Sequence, residues 1–137
     1  MFRYSQPKKV AIDQKCNLDC MVRAVTHATK AEYSVVHKLM FKYGRRANRR
    51  RSKGEEKDQI QNTLRDLGFE GIYRATPAEK GKPRLTADAM MDDWVYQDGI
   101  YIIRVAKHVA CLYEGDLLDN WNCGDKCIYF FWKIRKL

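Results

Sequence analysis

No stretch of this 137-residue sequence is apolar enough for a membrane span or for the core of a signal peptide. The opening Met1-Phe-Arg-Tyr-Ser-Gln-Pro-Lys-Lys is polar and basic, and the most apolar later stretches are interrupted by Arg104, Lys107 and His108. The expectation is a soluble, cytoplasmic protein without membrane contact. Proline is scarce, and two of the three prolines fall between Ala75 and Leu85, which marks that stretch as a connecting loop. Internal repeats are absent, so 137 residues fit a single domain large enough to bury a core. Cysteine is present in an odd number, five, with no export signal. That excludes a simple disulfide framework and points to thiols in a reducing compartment. Histidine occurs only three times, at positions 27, 37 and 108, so few side chains are candidates for a base near neutral pH.

The apolar pattern changes character along the chain. An extended arm over residues 1–13 leads into a helix starting at Asn17 or Asp19, both good caps, with Met21, Ala24, Val25 and Ala28 on one stripe. Ser34 caps a second amphipathic helix, in which Val36, Leu39, Met40 and Tyr43 recur at helical spacing. A third runs from Glu55 to Leu67 and stops at Gly68; Phe69 to Tyr73 reads as a short strand, and Thr86 caps a short helix through Trp94. The C-terminal third turns to β-branched and aromatic residues in Ile100–Val105, His108–Tyr113 and Cys127–Ile134, with a turn at Gly115. Helices first and strands later predict an α+β domain whose C-terminal antiparallel sheet packs on the first helix.

Cys20 falls in the first turn of that helix. Unpaired N–H groups and the positive end of the helix dipole favour a thiolate there, and the thiolate is the reactive form of cysteine. Six residues earlier, Gln14 carries an amide able to donate to a developing oxyanion, with the Cys20 backbone N–H as second donor. A nucleophile of this kind needs a base. His27 is two helical turns from Cys20, about 10 Å along the axis, and out of reach; His37 lies on the second helix. His108, at the start of a strand, is the better base.

Gln14 with Cys20, and Asp19-Cys-Met-Val-Arg-Ala-Val-Thr-His-Ala-Thr29, resemble the oxyanion glutamine and nucleophile segment of papain-like cysteine peptidases, in particular small bacteriophage and bacterial members. The run Tyr101-Ile-Ile-Arg-Val-Ala-Lys-His108-Val-Ala-Cys-Leu-Tyr, followed by Leu117-Leu118-Asp119-Asn120-Trp121, resembles the strand pair that brings a histidine and then an acid to that cysteine. The resemblance covers about residues 14–40 and 99–121. It implies a papain-like fold and a cysteine-dependent hydrolase acting on a peptide or isopeptide bond, with a protein or peptide substrate and no cofactor. Cys20 would be the nucleophile, His108 the base and Gln14 an oxyanion donor, while Asp119, or Asn120 as a neutral acceptor, would orient the imidazole. Transglutamination and deamidation use the same constellation.

Two other classes of function stay open. Cys16-x-x-x-Cys20 and Cys123-x-x-x-Cys127 have spacings compatible with a four-thiolate zinc site, against which Cys127 is expected to begin a core strand and Cys111 is a small buried hydrophobe. A non-catalytic protein of the same fold would instead bind through its charge. Lys42, Arg45, Arg46, Arg49, Arg50, Arg51 and Lys53 crowd seven positive charges into twelve residues, in a basic insertion or loop at about 44–54. The chain has 26 Lys and Arg against 17 Asp and Glu, a net of +9, so +2 would remain without those seven. The segment is expected to dock an acidic partner, either a protein surface or nucleic acid.

Overall fold

The structure, a computed structural model, describes residues 1–6, 19–44 and 53–137. Three helices come first: α1 (Asp19–Thr29), α2 (Tyr33–Gly44) and α3 (Lys53–Asp66). The strands are β1 (Phe2–Tyr4), β2 (Phe69–Ala75), β3 (Ile100–Val105), β4 (His108–Tyr113), β5 (Asp116–Asp119) and β6 (Phe130–Lys136), with a short α4 (Ala87–Asp92) and a 3-10 turn at Trp94–Tyr96 between β2 and β3. They form one six-stranded sheet in the order β1-β5-β4-β3-β6-β2. All pairings are antiparallel except β1 with β5. The domain is thus α+β, with N-terminal helices packed on a mostly antiparallel sheet.

The helix stripe explains the packing. Met21, Val22, Ala24, Val25 and Ala28 of α1 are buried against Val109 and Cys111 of β4, together with Ile102 and Trp132 of the neighbouring strands. Small residues at 24 and 28 let α1 lie close over the middle of the sheet. Helix α2 contributes Tyr33, Val36 and Met40 to the same core, and α3 contributes Ile60 and Leu64. Gly71 of β2 marks the closest approach: a Cβ there would meet Trp132 Cδ1 at 3.0 Å and Leu64 Cδ1 at 3.2 Å. The other face of the sheet buries Tyr101, Ile103, Leu112, Leu117 and Phe131 under α4 and the 120–129 connection.

Tight turns set the strand register. Two residues join β3 to β4, so that Val105 pairs with His108, and Lys107 takes a positive φ of 55°. Glu114 (φ 49°) and Gly115 (φ 88°) join β4 to β5 in the left-handed conformation that a two-residue hairpin requires.

Several boundaries differ from the sequence reading. The N-terminal arm is partly a strand, because Phe2–Tyr4 add to the free edge of β5. Cys127 is exposed and makes only an isolated bridge with Thr86, so β6 begins at Phe130 and Cys127 is not core. Thr86 does cap α4, its hydroxyl accepting from the Ala89 N–H at 3.1 Å, but the helix ends at Asp92, whose successor Asp93 caps the 3-10 turn. Among the described residues no helix is long and apolar enough to cross a membrane.

Leu64 is fully buried between α3 and the sheet. Leu64→Ala is expected to cost about 3 kcal/mol of unfolding free energy in urea denaturation. A loss below about 1 kcal/mol would contradict the packing of α3 on β2.

Candidate active site

His108 is the first residue of β4 and Asp119 the last of β5, and antiparallel pairing puts both at the same end of the sheet. Cys111 pairs with Leu118; one step further sets Asp119 across from Ala110, two residues from His108 and of the same side-chain parity. The pair is therefore a diagonal cross-strand neighbour, and a two-residue turn explains how only eleven positions separate His108 from Asp119. His108 Nε2 bonds Asp119 Oδ2. Asp119 is 1% exposed, and its other oxygen accepts from Arg23 Nε at 2.7 Å and from the Asn120 backbone N–H at 2.8 Å.

Helix α1 starts at this end of the sheet. Cys20, its second residue, is half-buried and near enough to His108 to help raise the imidazole pKa. Nε2 is committed to Asp119, so Nδ1 is the ring nitrogen left for other partners. The edge of the Trp121 ring system meets the imidazole at 4.8 Å between centroids, while 11% of the His108 side chain reaches solvent.

Burial pulls the His108 pKa down, but its hydrogen bonds and charge interactions with Asp119 and Cys20 outweigh this and raise it to about 9. Burial pushes the Asp119 carboxyl up, and the bonds and charges of His108 and Arg23 bring it below the ordinary carboxylate value. Near neutral pH His108 is an imidazolium held by a carboxylate, with the Cys20 sulfur close by. This geometry supports proton transfer to and from a reacting group at Nδ1 and attack by the sulfur.

The sequence-derived residues distribute as follows. Cys20, His108 and Asp119 come together. Asn120 is turned away, its side-chain amide donating to Gln6 Oε1 at 2.7 Å, so Asp119 is the residue that faces the imidazole. Asp116, the first residue of β5, pairs with Arg3 at 2.7 Å. His27 is partly buried with its pKa lowered, chiefly by that burial, and His37 stacks between Tyr33 and Phe41. Gln14, Cys16, Arg45, Arg46, Arg49, Arg50 and Arg51 lie outside the described residues; Lys53 opens α3.

Cys20, Cys123 and Cys127 do not assemble as a metal-holding group among the described residues. Cys123 instead joins His108 and Asp119, with ligand atoms all within 4.8 Å of one another. Nitrogen, oxygen and sulfur donors suit zinc. Opposing this, the Arg23 guanidinium already neutralises Asp119, and burial pushes the Cys123 thiol up to about 12, so a bound ion would have to displace its proton.

The sequence reading missed Arg23 and Trp121, and grouped Cys123 with Cys127 where the structure sets it beside His108 and Asp119. Arg23 had a signal: three positions after Cys20, it is a charged residue on the helix face that Cys20 shares. The place of Cys123 had none, because it depends on how the 120–129 connection folds. Comparison with known proteins gives no match: no family model, no curated protein and no solved structure is similar to the chain. Fold and site together define an α+β protein with a histidine bonded to a buried aspartate and a cysteine close by at a helix N-terminus.

The folded-state pKa of His108 lies above the ordinary 6.5, so its pairing stabilises the fold fully below about 6.5 and the contribution is lost as pH rises through about 9. The stability difference between the wild type and His108→Asn, from urea titrations, should be largest at pH 6 and shrink steadily between pH 7 and 10. A difference independent of pH would show that His108 carries no pairing charge.

Proposed function

We propose that this protein is a cysteine-dependent amide hydrolase of the papain-like type, cleaving a peptide or isopeptide bond. The observation that carries the reading is the nearness of Cys20, at the N-terminus of α1, to an imidazole whose Nε2 is held by a buried carboxylate. The sulfur, as thiolate, attacks the carbonyl carbon, and the π electrons move to the oxygen. The Cys20 backbone N–H, in the first turn of α1, has no intrahelical acceptor and serves the oxyanion; Gln14 is the second donor on the resemblance. As the C–N bond breaks, His108 Nδ1–H gives its proton to the leaving amine. A water then loses a proton to the neutral imidazole and adds to the thioester, and collapse returns the carboxylic acid and the thiolate. Asp119 keeps Nε2 protonated and compensates the imidazolium charge throughout.

The substrate is a protein or peptide. The basic run from Lys42 to Lys53, between the end of α2 and the start of α3, is the docking segment for an acidic patch on that substrate or for nucleic acid. A zinc-holding role for His108, Asp119 and Cys123 is the second reading, favoured by their mutual proximity. Near-stoichiometric zinc in purified protein, lost on Cys123→Ser, would establish it in place of the hydrolase.

Activity on unfolded protein and isopeptide substrates, read by mass spectrometry of the products, tests the first reading. Cys20→Ala and His108→Ala should each abolish turnover with the circular dichroism spectrum unchanged, and Gln14→Ala should lower kcat by on the order of 10²–10³. Turnover should fall on the alkaline side as His108 loses its proton near 9. Retained turnover in Cys20→Ala would end this mechanism. Replacing Arg45, Arg46, Arg49, Arg50 and Arg51 by serine should weaken binding of an acidic protein substrate at low salt and leave a small uncharged peptide unaffected. Undiminished binding at low salt would reduce the segment to a solvated stretch.

A further inference from the structure

Arg23 is 4% exposed, although its guanidinium carries a full charge. It lies between two carboxylates: Nε donates to Asp119 Oδ1 at 2.7 Å, and Nη1 bonds Asp19 Oδ2. Asp19 in turn accepts from the Tyr33 hydroxyl of α2 at 2.6 Å. From the imidazole, the hydrogen-bonded series runs His108, Asp119, Arg23, Asp19 and Tyr33. Because Arg23 and Asp19 share the first two turns of α1 with Cys20, the series runs from the sheet back to the helix that carries the sulfur.

This series has a mechanical and an electrostatic consequence. Apolar contacts between α1 and β4 are non-directional and tolerate sliding, whereas a buried ion pair satisfies its charge in a narrow geometry only. The Arg23–Asp119 contact fixes where the helix carrying the nucleophile stands against the strand end carrying the acid. Electrostatically, Asp119 divides its charge between two cations, so the field it presents to His108 is weaker than that of a lone carboxylate. The groups facing the imidazole are Cys20 from α1, Asp119 from β5 and Cys123 from the following connection; Arg23 and His27 of α1 act on Asp119 behind it.

We propose that Arg23 is a positioning residue of the site, registering the Cys20 helix against Asp119 and moderating the charge that Asp119 presents to His108. The proposal rests on the reading of Cys20 and His108 as the reactive pair. Removal of the guanidinium leaves Asp119 to act on His108 undiluted, and the imidazolium then holds its proton to higher pH. A lysine keeps the charge but lacks the planar fork that reaches both carboxylates, so it restores the electrostatic part and not the registration.

The experiment is an NMR titration of the His108 imidazole in the wild type, Arg23→Gln and Arg23→Lys, alongside iodoacetamide alkylation of Cys20 in the same proteins and in His108→Ala. The His108 midpoint should move up by about half a pH unit or more in Arg23→Gln and return close to wild type in Arg23→Lys. Cys20 alkylation at neutral pH should be slowed several-fold in both, because the registration is lost in both. If Arg23→Gln does not fold, Arg23→Gln/Asp19→Asn removes the buried cation together with its half-buried carboxylate partner. Arg23 touches Asp119 directly and Asp19 does not, so the upward direction survives there. An unmoved midpoint with wild-type alkylation rates would overturn the proposal and leave Arg23 a structural ion pair. Failure of the underlying site has a separate signature: wild-type Cys20 would alkylate no faster than the exposed Cys127, and His108→Ala would change nothing.

Discussion

Burying a carboxylate is the constraint around which this protein is arranged. Asp119 has almost no contact with water, and an ionised group in that position costs several kcal/mol unless it is both paired and hydrogen-bonded. Its partners come from three places: His108 from the neighbouring strand, Arg23 from the first helix and the backbone N–H of the next residue. Each lowers the cost of burying the carboxylate. The ends of α1, β4 and β5 are therefore held together by charge at one point, while elsewhere they meet through apolar packing.

The rest of the fold serves that point by bringing local pieces to it. Two tight hairpins align β3, β4 and β5 with no slack, so His108 and Asp119, eleven residues apart, stand side by side. The apolar stripe of α1 lays the helix over the middle of the sheet, which brings its positive N-terminal end to the same edge. Strand β1 completes the outer side of β5, and the residue that follows shortly after it, Gln6, accepts from Asn120 and from Arg23 at 3.5 Å. The N-terminal segment thus contributes to the surroundings of the acid, where the sequence reading had assigned it only to an approach.

Legibility in the sequence followed the range of the interactions. The helices and the C-terminal strands were readable because each is specified by its own period, 3.6 or 2, and by its own turn residues. Cys20 was readable because a helix N-terminus is a local property. Choosing His108 over His27 and His37 needed only helix geometry and strand position. Strand β1 was not legible, since Phe-Arg-Tyr has no apolar alternation and becomes a strand only because β5 offers an edge. Cys127 was misread as core because the aromatic run behind it looked continuous, while the chain in fact reaches the sheet only at Phe130. The partnership of Arg23 with Asp119, ninety-six residues apart, is a tertiary fact for which the sequence supplied only the helical spacing to Cys20.

The reactivity of one thiol among several measures the central claim most directly. Cys20 is half-buried beside an imidazole, Cys127 is exposed without one, and Cys111 and Cys123 are buried with their pKa values pushed up by that burial. Exposure alone would favour Cys127, so the two explanations give opposite orders. An acyl-type electrophilic probe applied to the intact protein at neutral pH, with the modified site located by peptide mass spectrometry, should label Cys20 alone and should fail to label it in His108→Ala. Preferential labelling of Cys127, or labelling of Cys20 that survives loss of His108, would contradict the account.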